Sequence, residues 1–357
     1  MAEASRSLAA NTSLRGRSPD TRYGLEQRLV VQTLLTLMGN QMFKSRHQFR
    51  PVAILCAALL IGLTSVSSAF ADAGPPEVPT DKAALAAKHA DVSVGAQYDT
   101  THVYVASADL DAFVTSFLAT FGGKASPRAV FTVTPTPSKT ASQYVQTPVG
   151  MLSVFGFETA IPYPFGNERT GYLVTDIDKA VKAARAAGAD IVVDPFDDPI
   201  GKDAIIQWPG GVTMQLYWHT KAPNYAPLQS VPDNRVYVSR YEADDFVRRW
   251  LRFSHGKVVS DNPRADAGVI GRPGETIRVI RISSGFGHMV VFVTDGKLPV
   301  PFGSETTGYG VEDVAQTIER AQAAGAKVLY PPYHSGTGTT AMLEFPGRYI
   351  AEVHDGK

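Results

Sequence analysis

One line of the sequence occurs twice, and this repeat constrains the fold more than any other feature. PFGNERTGY begins at position 164, and PFGSETTGY begins at position 301, 137 positions later. Downstream segments match at the same spacing, which aligns Gln215 with Glu352. Upstream segments match at a spacing of 133, which aligns His102 with Arg235 and needs only a four-residue insertion between the registers. Agreement over this length predicts a tandem duplication.

Each half divides again into modules of one strand, one helix and three further strands. In the first module, apolar residues recur at helical spacing from Leu110 to Phe121, and the Gly122-Gly123 pair is expected to end that helix. The second module has an alanine-rich helix that ends before Gly188. Strand-like segments such as RAVFTVTP, MLSVFGF and VTMQLYWH follow the helices. The order βαβββ therefore occurs four times and predicts an α+β fold.

These patterns divide the chain into six predicted segments. They are an extension or mis-called start at 1–41, a signal peptide at 42–71, a linker at 72–98, a first domain at 99–219, a Pro-rich linker at 220–233 and a second domain at 234–357. The two repeats thus become two domains of two modules each, and the PFG lines are the hinges between modules.

Residues 42–71 have the three parts of a secretory signal peptide. A basic stretch that contains Lys44 and Arg50 precedes an apolar run at 52–66, and Ala69-Phe70-Ala71 places small residues at the −3 and −1 positions. Cleavage is expected before Asp72, and Met42 is expected to be the true start. These features predict a periplasmic or secreted protein.

Composition excludes several classes of function. The 357 residues carry no formal net charge, which gives no indication of nucleic acid or an anionic membrane as a partner. The single cysteine, Cys56, lies in the segment expected to be removed. The mature chain would therefore have no cysteine nucleophile, disulfide or thiolate zinc site.

Three segments together resemble the vicinal oxygen chelate superfamily, also known as the glyoxalase/bleomycin-resistance/extradiol dioxygenase fold. They are THVYVASADLDAF, VTDIDKAVKAARAAGADI and WPGGVTMQL, and the resemblance extends over residues 99–355. It implies that the two modules of each half curl into an open, cup-shaped barrel. Members use that cup for metal-dependent isomerisation, ring cleavage, epoxide opening or drug sequestration, so the resemblance implies small-molecule binding or turnover without choosing a reaction.

The resemblance also implies four ligand positions in each cup of metal-dependent members. In the first half they fall on His102, Leu152–Val154, Thr170 and Gln215. In the second half they fall on Arg235, His288–Val290, Thr307 and Glu352, with His354 two residues after the last. Neither half keeps the full set. The ligands that remain for Mn, Fe, Ni or Zn are His102 and Gln215 in the first cup, and Glu352 and His354 in the second.

Both cups also have a metal-free interpretation, which we favour. The permanent positive charge of Arg235 would repel a cation, so Arg235 and Glu352 are predicted to form an ion pair across the second cup. In the first cup, His102 and Gln215 would form a neutral pair. Strand alternation places His102 and Tyr104 on the cup side, where His102 could bind a metal, act as a base or line the wall.

The repeated hinge line has two interpretations as well. Phe165 and Phe302 could stack on ligands, with Glu168 and Glu305 as their polar partners. Alternatively, the prolines, glycines and aromatic residues only shape a crossover and close the barrels. The second interpretation is favoured, because the hinge text recurs where the cup residues differ.

The sequence therefore predicts an exported glyoxalase-like protein that binds or turns over a small molecule, through a metal-assisted or a metal-free site. The first cup is favoured, with His102 and Gln215 as catalytic candidates. The pocket candidates are Tyr104, Thr170, Arg235 and Thr307. The alternatives are a metal-free sequestering protein of the bleomycin-resistance kind and an interaction module with closed cups.

Overall fold

A computed structural model describes residues 92–336 and 338–356 of the chain. The predicted extension at 1–41, the signal peptide at 42–71 and most of the 72–98 linker lie outside these residues. Within the described part, no helix has the length and apolar character needed to cross a membrane.

The first half forms one nine-stranded sheet. Its strands are β1 Thr100–Ala106, β2 Lys124–Ala125, β3 Ala129–Phe131, β4 Thr140–Thr147, β5 Gly150–Phe157, β6 Thr170–Leu173, β7 Asp190–Asp197, β8 Gly201–Gln207 and β9 Thr213–His219. The helices are α1 Leu110–Phe121 and α2 Ile177–Ala187. The strand order is β2-β4-β5-β1-β6-β9-β8-β7, with β3 paired to β4. The two modules therefore meet where β1 lies antiparallel to β6.

The second half forms an eight-stranded sheet of the same topology. Its strands are β10 Asp233–Ser239, β11 Lys257–Asp266, β12 Thr276–Ser284, β13 Gly287–Thr294, β14 Thr306–Gly310, β15 Lys327–Ser335, β16 Gly338–Phe345 and β17 Tyr349–His354. The helices are α3 Ala243–Ser254 and α4 Val314–Ala323. The order β11-β12-β13-β10-β14-β17-β16-β15 matches that of the first half. The predicted α+β fold of four βαβββ modules in two sheets is confirmed.

One predicted strand is much shorter than expected. RAVFTVTP pairs only through Ala129–Phe131, whereas β11 extends over Lys257–Asp266 at the corresponding edge of the second sheet, with two register shifts. Pro127 precedes the short strand, and two further prolines follow it. Proline has no N–H to donate to a neighbouring strand, so these residues disfavour pairing on both sides of β3.

Local sequence accounts for the helix ends in both copies. Asp176 and Asp313 occupy the same position in the repeat, and each side chain accepts a hydrogen bond from the backbone three residues later. Such caps stabilise a helix start by about 1 kcal/mol. Gly188 follows α2 with a positive φ of 100°, a left-handed conformation that suits glycine.

Two hydrophobic cores each contain residues from both halves. One lies between α2 and α3 and includes Tyr172, Trp208, Trp250 and Phe286. The other lies between α1 and α4 and includes Phe113, Phe117, Tyr309, Phe345 and Tyr349. The helix-side surface of each sheet is thus covered by the other half, and the opposite, concave surfaces form the two cups.

Two arginines of the second half bond to the ends of helices in the first. Arg249 Nη1 donates to the carbonyl of Gly188 at 2.8 Å, and Arg320 Nε donates to the carbonyl of Thr120 at 3.0 Å. Both carbonyls lie at helix C-termini, where the last carbonyls lack intrahelical partners and carry partial negative charge. These hydrogen bonds therefore link the two halves in addition to the shared hydrophobic cores.

Candidate functional site in the first cup

His102 and Tyr104 lie on the concave side of the first sheet, as strand alternation predicts. Val103 between them is fully buried in the core beneath α1. The parallel register pairs His102 with Ser153 and Tyr104 with Phe155. Paired residues share a face, so the inner wall of the cup continues from β1 onto β5.

His102 is buried beside a carboxylate. Its side chain is 2% exposed, and its Nδ1 lies 3.6 Å from Oε1 of Glu168, which is 0% exposed. Within the described structure, Nδ1 and both oxygens of Glu168 have no hydrogen-bond partner. A buried polar group without a partner is destabilising by about 1–3 kcal/mol. Glu168, which comes from the hinge, therefore lies in the first cup beside His102.

Gly171 provides the space that the His102 ring occupies. A Cβ atom at Gly171 would lie 2.5 Å from Nε2 of His102, closer than real side chains come. Gly171 is also the register partner of Gln215 on β9. The imidazole therefore lies over β6, one strand away from Gln215, and the two predicted catalytic candidates are brought to the same part of the cup.

Asp203 is a further carboxyl group of this site that the sequence analysis did not single out. It lies on β8, is 6% exposed, and its side chain is hydrogen-bonded to Gln215. Burial raises the pKa of Asp203 well above its usual range, the charges of Asp198 and Glu168 raise it further, and the Gln215 bond opposes the rise. In the DAIIQ segment, Ala204 and Ile206 face the core beneath α2, which places Asp203 on the opposite, cup side of the strand. This alternation was the available sequence signal.

Aromatic rings form much of the remaining wall. Tyr104 lies between Phe155 and Phe157, with ring centroids 5.4 and 6.2 Å away. All three rings are partly exposed. Phe165 from the hinge meets Phe196 of β7 edge to face at 5.9 Å. The first cup therefore combines an accessible aromatic wall with a floor of buried polar groups.

The second cup has a different floor. Arg235 Nη1 donates to Oε1 of Glu352 at 3.1 Å, and both side chains are almost fully buried. The predicted ion pair is therefore present. Thr340 also donates to Oε1, and His354 Nδ1 lies 2.8 Å from Oε2. Burial alone would raise the pKa of Glu352, but the charges of Arg235 and His354, with these hydrogen bonds, lower it to about 2.

Apolar side chains fill the rest of the second cup. The buried set consists of Ile277, Val279, Val290, Phe292, Phe302 and Met342. A short helical turn at Ala267–Ile270 packs on this set, and Tyr330 of β15 donates to the carbonyl of Gly268 at 2.7 Å. This contact joins the segment after β11 to the far edge of the sheet, so the second cup is packed where the first has accessible rings.

Thr170 and Thr307 lie between the halves rather than in the cups. Oγ1 of Thr307 is 3.1 Å from Oγ1 of Thr101, and Oγ1 of Thr170 is 3.4 Å from Oε1 of Glu305. Both threonines border a small cavity of about 30 Å³ at this interface. Thr170 pairs with Thr101, which faces away from His102, so the neighbouring Gly171 takes the cup-side position.

The residues present do not fit a divalent metal. A protein site for such an ion needs at least three good donors. In residues 92–336 and 338–356, no group of three or more His, Cys, Asp or Glu is placed to hold one. His102 and Glu168 supply two donors, and Gln215 is engaged with Asp203. In the second cup, Arg235 holds Glu352.

Comparisons with known proteins support the fold but do not identify the chemistry. No family model and no curated protein matches the sequence. Among solved structures, a variant of 4-hydroxymandelate synthase from Streptomyces coelicolor matches with a TM-score of 0.52 and 13% identity, over 74% of this chain and 93% of that one. The Mn(II)-bound glyoxalase from Novosphingobium aromaticivorans matches with a TM-score of 0.43 and 13% identity, over 72% and 80% of the two chains.

A third match is the 2,3-dioxygenase LapB from Pseudomonas, with a TM-score of 0.46 and 14% identity over 75% of this chain and 94% of that one. At these identities the likeness concerns architecture alone. The first match has a TM-score above 0.5 and covers nearly the whole of the other chain, so it supports the two-sheet architecture described above. The protein therefore has the vicinal oxygen chelate fold in its tandem, two-sheet form.

Proposed function

We propose that this protein binds a small organic molecule in the first cup, while the second cup serves the stability of the fold. One observation carries the proposal. Each cup contains a buried carboxylate, and the two differ in hydrogen bonding. Glu352 has three hydrogen-bond partners, whereas neither oxygen of Glu168 has one in the described structure, where His102 Nδ1 lies 3.6 Å away. A molecule bound in the first cup would supply the hydrogen-bond partners that the chain itself does not.

The energetics support this division. Buried polar groups in native proteins are nearly always paired, so unpaired ones need a specific explanation. In the second copy, by contrast, the buried carboxylate of Glu352 is paired with Arg235, Thr340 and His354. Retaining His102 and Glu168 unpaired instead lowers stability, and unpaired groups of this kind are typical of binding sites. The accessible rings of Tyr104 and Phe155 provide the apolar contact area of a small-molecule site.

A thermal-shift screen of metabolites, with titration of the hits, tests the site. We expect His102→Ala and Gly171→Ala to weaken binding of a hit by about tenfold or more, which corresponds to about 1.4 kcal/mol. The first change removes the imidazole, and the second displaces it, because a methyl group at Gly171 would overlap Nε2. His354→Ala, which removes a histidine of the second cup, is the matched control and should leave binding unchanged.

A hit whose affinity depends on His354 and not on His102 would place the site in the second cup and contradict the proposal.

The same hit also separates sequestration from turnover. One observation favours proton transfer as a second candidate function: Glu168 lies beside Nδ1 of His102 and can orient the ring as a base. Deuterium uptake into the ligand from heavy water, lost in His102→Ala, would identify turnover, and an unchanged ligand would identify sequestration.

We also propose that the protein acts after export. The basic stretch, the apolar run at 52–66 and the Ala69-Phe70-Ala71 site support this. Expression in a Gram-negative host should yield periplasmic protein whose first residue is Asp72. N-terminal sequencing of the fractionated protein checks this, with Ala71→Arg as the variant that should block cleavage. A cytoplasmic product that retains residues 42–71 would contradict export.

A further inference from the structure

We propose that the ligand of the first cup is an organic cation, that is, a protonated or quaternary amine with an apolar substituent. This inference rests on the proposed function and specifies its ligand class. It comes from the charges and rings of the first cup and from what occupies the same place in the second.

Carboxyl groups are the acidic groups of the first cup. Glu168 and Asp203 are almost fully buried, and Asp198 lies near enough to act electrostatically on Asp203. For the part of the chain that the structure describes, no lysine or arginine pairs with any of the three, and His102 alone lies within ion-pair distance of Glu168. Buried carboxylates in proteins are normally paired with a cation or a metal. The cup therefore contains buried carboxyl groups that no permanently charged basic side chain of the described structure pairs with.

The second cup contains a cation of its own at the corresponding place. The guanidinium of Arg235 lies 4.7 Å from the ring centroid of Phe292 and contacts Glu352. A positive group against both a ring face and a carboxylate is a favourable arrangement, and the ring contact strengthens when water is excluded. This copy thus shows what kind of group the architecture accommodates.

The first cup keeps the ring but lacks that cation. Phe155 occupies the repeat position of Phe292, and Tyr104 packs on it as Tyr237 packs on Phe292. Where Arg235 stands in the second copy, the first has His102, which meets Phe155 edge-on at 5.3 Å. Ring faces and carboxylates therefore remain without a permanent positive charge. An amine that enters from solvent would complete the arrangement that Arg235 completes internally.

Two isosteric probes test the ligand class. Benzyltrimethylammonium and neopentylbenzene differ only in a nitrogen that carries a positive charge and a carbon that does not. We expect ligand-observed NMR on the full protein to give at least tenfold tighter binding of the ammonium probe. Glu168→Gln and Asp203→Asn should weaken that binding severalfold while the weak affinity for neopentylbenzene stays unchanged. Glu344→Gln, which removes a carboxylate from β16 in the second half, is the matched control and should have no effect.

The outcomes distinguish this inference from the proposal on which it rests. Equal affinity for both probes, lost in His102→Ala, would keep the first cup as the binding site and overturn the cation assignment. Ammonium binding that Glu344→Gln weakens as much as Glu168→Gln would mean attraction by overall charge, and it would also overturn the assignment. Failure of both probes and of every molecule in the screen would reject the binding site itself.

Discussion

Replacing Glu352 by glutamine should lower the free energy of unfolding by about 3–5 kcal/mol, because the change removes one member of a buried ion pair. The guanidinium of Arg235 would stay buried with a neutral amide as its partner. Urea unfolding followed by circular dichroism measures the difference. Lys327→Ala is the control, because Lys327 pairs with Glu344 at the surface and such pairs contribute about 0–1 kcal/mol.

The same variant should change the acid sensitivity of the protein. Interactions in the second cup lower the pKa of Glu352 from 4.5 to about 2. A lowered pKa stabilises the folded state above pH 4.5, and this contribution disappears as the pH falls from 4.5 towards 2. The wild-type protein should therefore lose more stability across that window than Glu352→Gln. Equal losses, or a destabilisation below 1 kcal/mol, would show that the ion pair does not hold the second cup together.

The first half expressed alone, as residues 92–230, should not form a stable folded monomer. Both hydrophobic cores would be cut, which would leave Phe117 and Trp208 without the aromatic partners that the second half supplies. Each large side chain that is no longer buried removes about 1.5–3 kcal/mol, and a domain has only about 5–15 kcal/mol in total. Sedimentation with thermal unfolding tests this.

Co-expression with residues 231–357 is the control for that experiment. The second fragment should restore a single cooperative unfolding transition, because it supplies α3 and α4 to cover α2 and α1. A first half that is monomeric and unfolds cooperatively by itself would contradict the shared-core description. The first half would then be a domain that folds independently.

The repeat predicted the architecture well because it is a long-range signal. The same glycines, helix caps and strand patterns occur at aligned positions in both copies. A helix or strand that is ambiguous in one copy can therefore be assigned from the other. The predicted Arg235–Glu352 pair also followed from two residues of opposite charge at aligned positions. Which cup is packed shut could not be derived, since it depends on side chains from β12, β13 and β16 that meet only in three dimensions.

Two details of the site show where sequence reasoning fails. The assignment of Thr170 to the cup misses by one residue, because β6 begins after an irregular hinge, and a shift of one position moves a side chain to the opposite face of the sheet. The position of Glu168 beside His102 was not predicted either. The hinge has no periodicity that would indicate which way its side chains point, although the repeated motif did identify the residue.

Two arginine side chains of the second half donate hydrogen bonds to helix ends of the first. The positions that correspond to Arg249 and Arg320 in the first half hold Ser116 and Ala183. Their side chains are too short to make the reciprocal hydrogen bonds. The second half, whose cup is packed, thus contributes hydrogen bonds to the helices of the first. A margin of stability held in one copy lets the other tolerate substitutions that would unfold a lone barrel. Such a chain is well suited to acquire new ligand preferences by changes confined to its first cup.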